Sequence, residues 1–194
     1  MTEQDLVTRA KAGDDEAFAK LIRNNEKRIY NLTLRMTGNP EDAMDLAQET
    51  FLNAWRGLKF FKGDSTFSTW VYRLASNACI DHLRRRKRRQ DICVPMPVNE
   101  EDDSTPDIPD ERFQPEQELE RQELRSAVAQ GLEQLSLEHR QVLVMREING
   151  LSYQEIGDIL DLEAGTVKSR IARARNSLRK ILLESGNFSI PPSS

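Results

Sequence analysis

The sequence predicts an all-α fold of two small helical domains joined by a flexible acidic linker, and three observations carry that expectation. Apolar residues recur at three- and four-residue spacing through most of the chain, with no alternating stretch long enough to read as a strand. Gly, Asn, Asp and Ser stand where those patterns break, as helix stops and caps. Between 91 and 120, eleven acids face Arg112 alone, and Pro95, Pro97, Pro106, Pro109 and Pro115 interrupt the chain. Such a stretch buries too little apolar surface to offset its ordering entropy, so it separates two folded parts. The boundaries that follow are 1–90 for the first domain, 91–118 for the linker, 119–186 for the second domain and 187–194 for a tail.

In chain order, residues 3–12 form a short helix that Gly13 closes, and Asp14 or Asp15 caps the next. That second helix is long, with Phe18, Leu21, Ile22, Asn25, Ile29, Leu32 and Met36 on one side, and Thr37-Gly38 ends it. Asn39 then caps a helix from 40 to about 58, with Pro40 at its first position and Glu41 and Asp42 at the positive end of its dipole. Its inward side reads Ala43, Leu46, Ala47, Phe51, Ala54, Trp55 and Leu58, while Asp45, Gln48, Glu49, Leu52, Asn53 and Arg56 point away. Leu52 is apolar on an outward face: either an ordinary exposed leucine or the anchor of a partner contact.

The stretch 60–89 joins a turn loop, Lys62-Gly63-Asp64-Ser65, which also offers a capping side chain, to a helix beginning at Phe67 and to six consecutive cations, Arg84 to Arg89. Phe67, Trp70, Val71, Leu74 and Ala78 share one side of that helix; Thr69, Arg73, Asn77, Ile80 and Arg84 share the other. Cations neutralise phosphates, and exposed rings stack on unpaired bases at about 1–3 kcal/mol each, so the segment suits a nucleic-acid strand. The alternative is a buried aromatic cluster followed by a solvated basic helix end.

Beyond the linker, helical spacing resumes near Glu116 through Leu124, Val128, Leu132 and Leu135, and Ser136 begins a further helix with Val142, Leu143 and Ile148 that stops at Asn149-Gly150. Ser152 with Glu155 makes a capping box, and Leu151 with Ile156 a hydrophobic staple, for a short helix ending near Leu160. After a turn, a last helix buries Val167, Ile171, Ala174 and Leu178. A short helix, a turn and a following helix is the layout of a helix-turn-helix, whose second helix enters the major groove. No acid interrupts that helix from Ala164 to Leu183, and Thr166, Lys168, Ser169, Arg170, Arg173 and Arg175 lie on or beside its outward face. The net charge of −4 conceals this: residues 91–120 carry −10, leaving +6 on the remainder.

On these residues the chain resembles bacterial RNA polymerase sigma factors of the extracytoplasmic-function group in the sigma-70 family. PEDAMDLAQETFLNAWRGL is similar to the helix that family docks on core polymerase, FFKGDSTFSTWVYRLASNACIDHL to its minus-ten reading segment, and LSYQEIGDILDLEAGTVKSRIARARNSLRK to its minus-thirty-five helix-turn-helix. The resemblance implies a sigma region 2 domain and a sigma region 4 domain in a transcription initiation factor. It implies that Asp45, Gln48, Glu49, Leu52 and Asn53 face core RNA polymerase. Phe61, Lys62, Phe67, Thr69, Arg73, Asn77, Ile80 and Arg84 would hold the melted minus-ten strand. Thr166, Lys168, Ser169, Arg170, Arg173 and Arg175 would meet the minus-thirty-five duplex. The implied partners are core polymerase, promoter DNA and an anti-sigma protein that is often membrane-tethered. Glu163 stands where proline is frequent in the family, and Ala172 where a larger side chain often sits.

No catalytic residue, metal or cofactor is expected: there is no phosphate-cradling glycine loop, and His82 and His139 stand alone. Asp42, Asp45 and Glu49 come close along one helix, which a nuclease could use for metal, but a charged helix start accounts for them equally. A response regulator would need a receiver domain, and the N-terminal half lacks its alternating strands and helices. Cys79 and Cys93 have no paired spacing, and no signal peptide or long apolar run is present, so the expected location is the cytoplasm, without membrane insertion.

Overall fold

The computed structural model describes residues 2–92 and 115–185, and these are helices joined by short loops, with no strand among them. The acidic linker expected at 91–118 lies for the most part outside the described residues, as do Cys93 and the expected tail at 187–194.

Four helices make the N-terminal half: α1 (Glu3–Lys11), α2 (Asp15–Thr37), α3 (Pro40–Gly57) and α4 (Phe67–Ile92), with a 3-10 turn, Leu58–Phe60, after α3. The expected caps form. Asp14 accepts from the Ala17 amide, Gly38 ends α2 at φ 72°, and Asn39 accepts from the Asp42 amide ahead of Pro40. One cap differs: Thr66, rather than the loop residues 62–65, accepts from the Thr69 amide at 3.0 Å and starts α4. The α4 start is also tied to α1, since the Phe67 amide donates to Glu3 Oε1 at 2.9 Å. Leu21, Ile29, Leu32, Met36, Ala43, Ala54, Phe67 and Val71 fill the centre, all nearly inaccessible. Two inward assignments on α3 change: Trp55 is 41% exposed, while Thr50, expected nowhere, is buried with its hydroxyl on the Leu46 carbonyl at 2.7 Å.

The C-terminal half contains α5 (Pro115–Gln134), α6 (Leu137–Leu143) running into a π-helical turn Val144–Ile148, α7 (Tyr153–Leu160) and α8 (Ala164–Glu184). Ser136 caps α6, and the Ser152–Glu155 capping box starts α7 as read from the sequence. Asp161 closes α7 at φ 56°. Gly157 is required there, because a Cβ on it would stand 2.5 Å from the Leu162 carbonyl oxygen. Val142, Leu143, Ile156, Val167, Ile171 and Ala174 are buried, whereas Leu124 and Ile148, assigned to the helix pattern, are largely exposed.

The two halves are packed on each other through a continuous core, with α4 against α7, and α2 against both α5 and the π turn. Arg140 sits 5% exposed at that junction. Its guanidinium donates to the Leu132 carbonyl at 2.7 Å, the Met36 carbonyl at 2.6 Å and the Glu133 carbonyl. These carbonyls stand at the C-terminal ends of α5 and α2, where the helix dipole favours a cation. Burial pushes its pKa down from the ordinary arginine value, but that value is so high that the group remains charged.

Candidate nucleic-acid interface

Three surfaces carry the residues singled out in the sequence. On α3, Asp45, Gln48, Glu49, Leu52 and Asn53 are all exposed. Leu52 is 55% exposed, and Met44, two turns earlier on the same face, is 51% exposed, with Gln48 between them. Trp55, in the last turn of α3, and Phe60, just beyond its end, are exposed as well. Met44 and Phe60 were missed in the sequence; the spacing of Met44, Gln48 and Leu52 at four residues was the available signal.

The second surface is the loop after Phe60 and the outer side of α4. Its aromatic residues build a platform from inside. Phe61 stacks on Trp70 with ring centroids 4.9 Å apart, and Phe67 meets Trp70 edge-on at 5.8 Å. Phe18 joins the group through Trp55 at 4.7 Å and Phe67 at 6.3 Å. Phe61 and Phe67 are both buried, so these two rings fix the loop and are not presented as faces for bases. That corrects their direct assignment to the strand: ring–ring packing takes the apolar surface a base would need. Lys11 holds the loop base by donating to the Phe61 carbonyl. Lys62, Gly63 and Asp64 are left exposed at the tip, Gly63 at φ 83°.

Along α4, Arg73, Asn77 and Arg84 to Arg89 are exposed, while Thr69 and Ile80 are half-buried. Asp42, in the first turn of α3, faces His82 at 3.3 Å and Arg86 at 3.9 Å, which ties the start of α3 to the basic end of α4. The Asp42 carboxylate thus lies beside Arg86 and the His82 ring of its own chain. Cys79 is fully buried, and burial pushes its thiol up to about 12, so it stays protonated and unreactive at neutral pH.

The third surface is the first half of α8. Glu163 starts that helix without a side-chain cap, so the first amides of α8 have no protein side-chain partner. Thr166, Lys168, Ser169 and Arg173 are exposed beside them. Arg173 folds back on Ser169, donating to its carbonyl at 3.3 Å. Arg170 is half-buried 3.6 Å from Glu138, and Arg175 donates to Glu147 at 2.6 Å, so these two cations are partly neutralised at home. An exposed helix start with free amides and unopposed cations is suited to phosphate, and its small outward side chains leave room for a groove floor. On the opposite side of α8, Val128, Leu132, Ile148, Leu178 and Leu182 line an apolar groove of about 490 Å³.

Residues 21–89 match the family model for sigma-70 region 2, and residues 125–178 match that for sigma-70 region 4. The chain is 38% identical over 184 residues to the RNA polymerase sigma-H factor of Pseudomonas aeruginosa, covering 93% of each. It is 36% identical to the ECF RNA polymerase sigma factor SigW of Bacillus subtilis, covering 91% of this chain and 94% of that one. Among solved structures it is similar to CnrH in complex with the cytosolic domain of CnrY, at TM-score 0.68 and 24% identity, over 94% of this chain and 97% of that one. It is also similar to the sigma factor RpoE of Bartonella quintana, crystallised with the anti-sigma factor NepR, at TM-score 0.64 and 21% identity, over 86% and 96%. These two likenesses carry the helical arrangement alone.

Proposed function

The chain belongs to the extracytoplasmic-function group of RNA polymerase sigma factors, and from that membership we propose that it reads a promoter with two surfaces while α3 holds it on core polymerase. As a transcription initiation factor it supplies binding, and the phosphodiester chemistry belongs to the polymerase, in the cytoplasm. No helix among the described residues is long and apolar enough to cross a membrane.

In this reading residues 1–90 dock on polymerase through Asp45, Gln48, Glu49, Leu52 and Asn53, with Leu52 and Met44 as apolar anchors ringed by polar groups. Lys62 and the α4 side of Thr69, Arg73, Asn77, Ile80 and Arg84 hold the minus-ten element as a melted strand. Phe61 and Phe67 act indirectly, by stiffening the loop. Residues 119–186 place α8 in the major groove of the minus-thirty-five duplex: Lys168 and Arg173 meet phosphate or base edges, Thr166 and Ser169 make the shorter contacts, and Arg170 and Arg175 set the register. An anti-sigma protein would act by covering the Leu52 strip or the apolar groove behind α8, the exposed apolar surfaces on the two halves.

The observation that carries this reading is the placement of an exposed face on α8, free of acids from Ala164 to Leu183, and a separate exposed polar–basic face on α4 in one chain. Permanganate probing of unpaired thymines on a promoter, with reconstituted holoenzyme, tests the division of labour. Asn77→Ala should leave promoter binding in place and reduce thymine reactivity around minus ten, while Lys168→Ala should weaken binding itself. Equal loss of both signals in both variants would contradict separate reading surfaces.

A further inference from the structure

The loop from Phe61 to Phe67 leaves the body of the protein at one main-chain group and returns at another, and α1 holds both. At the departing stem Phe61 has extended backbone after the 3-10 turn, φ −63° and ψ 113°, and its carbonyl accepts from Lys11 Nζ in the last turn of α1. The same ammonium stands 5.6 Å from the centre of the Phe61 ring, within cation–π reach. At the returning stem the Phe67 amide donates to Glu3 Oε1, in the first turn of α1, at 2.9 Å. Each charge meets the main-chain pole that suits it, cation on carbonyl and carboxylate on amide, so both bonds are charge-assisted.

Neither bond is needed to start α4. Thr66 caps that helix locally, accepting from the Thr69 amide at 3.0 Å, and Ser68 Oγ donates to Oδ1 of the buried Asn25 at 2.7 Å, which pins the first turn on α2. The helix that makes the two bonds is itself firmly seated: Leu6, Val7 and Ala10 are buried, and Arg9 Nε donates to Asp14 at 2.8 Å across the turn into α2. Between the stems the loop is open. Lys62, Gly63 and Asp64 are exposed, and a Cβ on Gly63 would meet nothing within 4 Å. An exposed tip of this kind takes its position from its stems.

We propose that α1 is the clamp of the strand-reading loop: Glu3 and Lys11 are positioning residues that set where the tip meets the minus-ten strand, and so how sharply it tells one base from another. The inference rests on the minus-ten reading of that loop. Glu3 and Lys11 leave one rigid helix about 12 Å apart along its axis, so both stems are referred to a single ruler. The chain from Phe61 to Phe67 could extend to about 20 Å, and the slack goes into the tip. Losing either bond lets the tip drift. Reading a base edge needs donor–acceptor distances of about 2.7–3.2 Å, so a drift of about 1 Å is enough to blunt the choice between bases.

The experiment reconstitutes holoenzyme with the wild-type chain, with Glu3→Ala and Lys11→Met, and with Glu3→Gln and Lys11→Arg, which keep an acceptor and a donor in place. Each is titrated, by fluorescence anisotropy, with a single-stranded oligonucleotide of a promoter's non-template strand and with versions in which each minus-ten base is replaced in turn. In Glu3→Ala and Lys11→Met the affinity ratio of preferred to replaced base should fall about three- to tenfold at the positions the loop reads and stay at wild type elsewhere. Glu3→Gln and Lys11→Arg should restore most of it. Lys11 is exposed and Glu3 half-buried, so circular dichroism of the free variants should show wild-type helix content. Wild-type ratios in either Glu3→Ala or Lys11→Met overturn the clamp, and so does an equal loss at every position, which is the mark of general loosening. Lys62→Ala tests the reading underneath: if it leaves every ratio unchanged while Asn77→Ala lowers them, the loop is not on the strand and the clamp has nothing to position. A wild-type holoenzyme without any base preference removes the minus-ten reading itself, and the clamp's purpose with it.

Discussion

Trp70 and Asn77 stand two turns apart on α4, one packed among rings and the other exposed. Trp70 lies between Phe61 and Phe67 and against Gly57, where a Cβ would stand 3.2 Å from its ring. Trp70→Ala should cost about 3–5 kcal/mol of unfolding free energy by denaturant titration, while the exposed Asn77→Ala should leave it unchanged. Arg140 is the residue that periodicity could not flag, since an arginine within a helix pattern reads as surface. Its three carbonyl partners come from two helices it cannot be linked to from local sequence. Arg140→Met keeps the stem but removes the three guanidinium bonds, and should cost about 2–3 kcal/mol. Glu155 gives a pH dependence with a definite sign. Its carboxylate accepts from the Ser152 amide at 2.7 Å, and bonds from the Ser152 amide and hydroxyl hold its pKa below the ordinary value of 4.5. A depressed carboxylate stabilises the fold above its unfolded pKa and loses that contribution as pH falls through the folded one. The gap in Tm between wild type and Glu155→Ala should therefore be open at neutral pH and close on acidification below the ordinary glutamate range.

At the scale of elements, the sequence was most legible where a helix end has its own chemistry. Gly13, Gly38, Asn39 with Pro40, Ser136 and the Ser152–Glu155 box all act locally, so three or four residues sufficed to read them. Faces were legible where one neighbour sets them, as on α8, whose buried Val167, Ile171 and Ala174 follow the expected spacing. They were less legible on α3 and α4. Trp55 matches the inward pattern yet stays exposed, and its contact with Phe18 leaves its outer side free. On α4 a second helical layer adds a second buried flank, which a single-stripe reading cannot show. The α3 surface makes its own prediction: Leu52→Asp should abolish co-elution with core polymerase on size exclusion, because a carboxylate forced into a desolvated anchor costs several kcal/mol, roughly 3 or more. For α8, Lys168→Ala should reduce the slope of log affinity against log salt by about 1 in duplex binding by holoenzyme, as expected of one lost phosphate contact. An unchanged slope would take Lys168 off the DNA.

For the whole molecule, the sequence carries two helical groups with different charge and purpose, but not how they sit together. Contacts such as Asn149 with Arg28 or Arg73 with Asp158 join residues about a hundred positions apart, and nothing in composition or spacing marks them. The exposure of the proposed surfaces was legible because cations and an outward leucine break the expected pattern; the burial of the aromatic residues was not, because a buried ring and a stacking ring look alike in sequence. The central claim is that this chain gives core polymerase a promoter choice that the enzyme lacks alone. Run-off transcription with core polymerase, the purified chain and a panel of promoter fragments tests it directly. The account predicts discrete transcripts from a subset of the fragments, dependent on the added chain and lost with Leu52→Asp. Transcripts that are the same with and without the chain, across a panel whose fragments it binds, would contradict it.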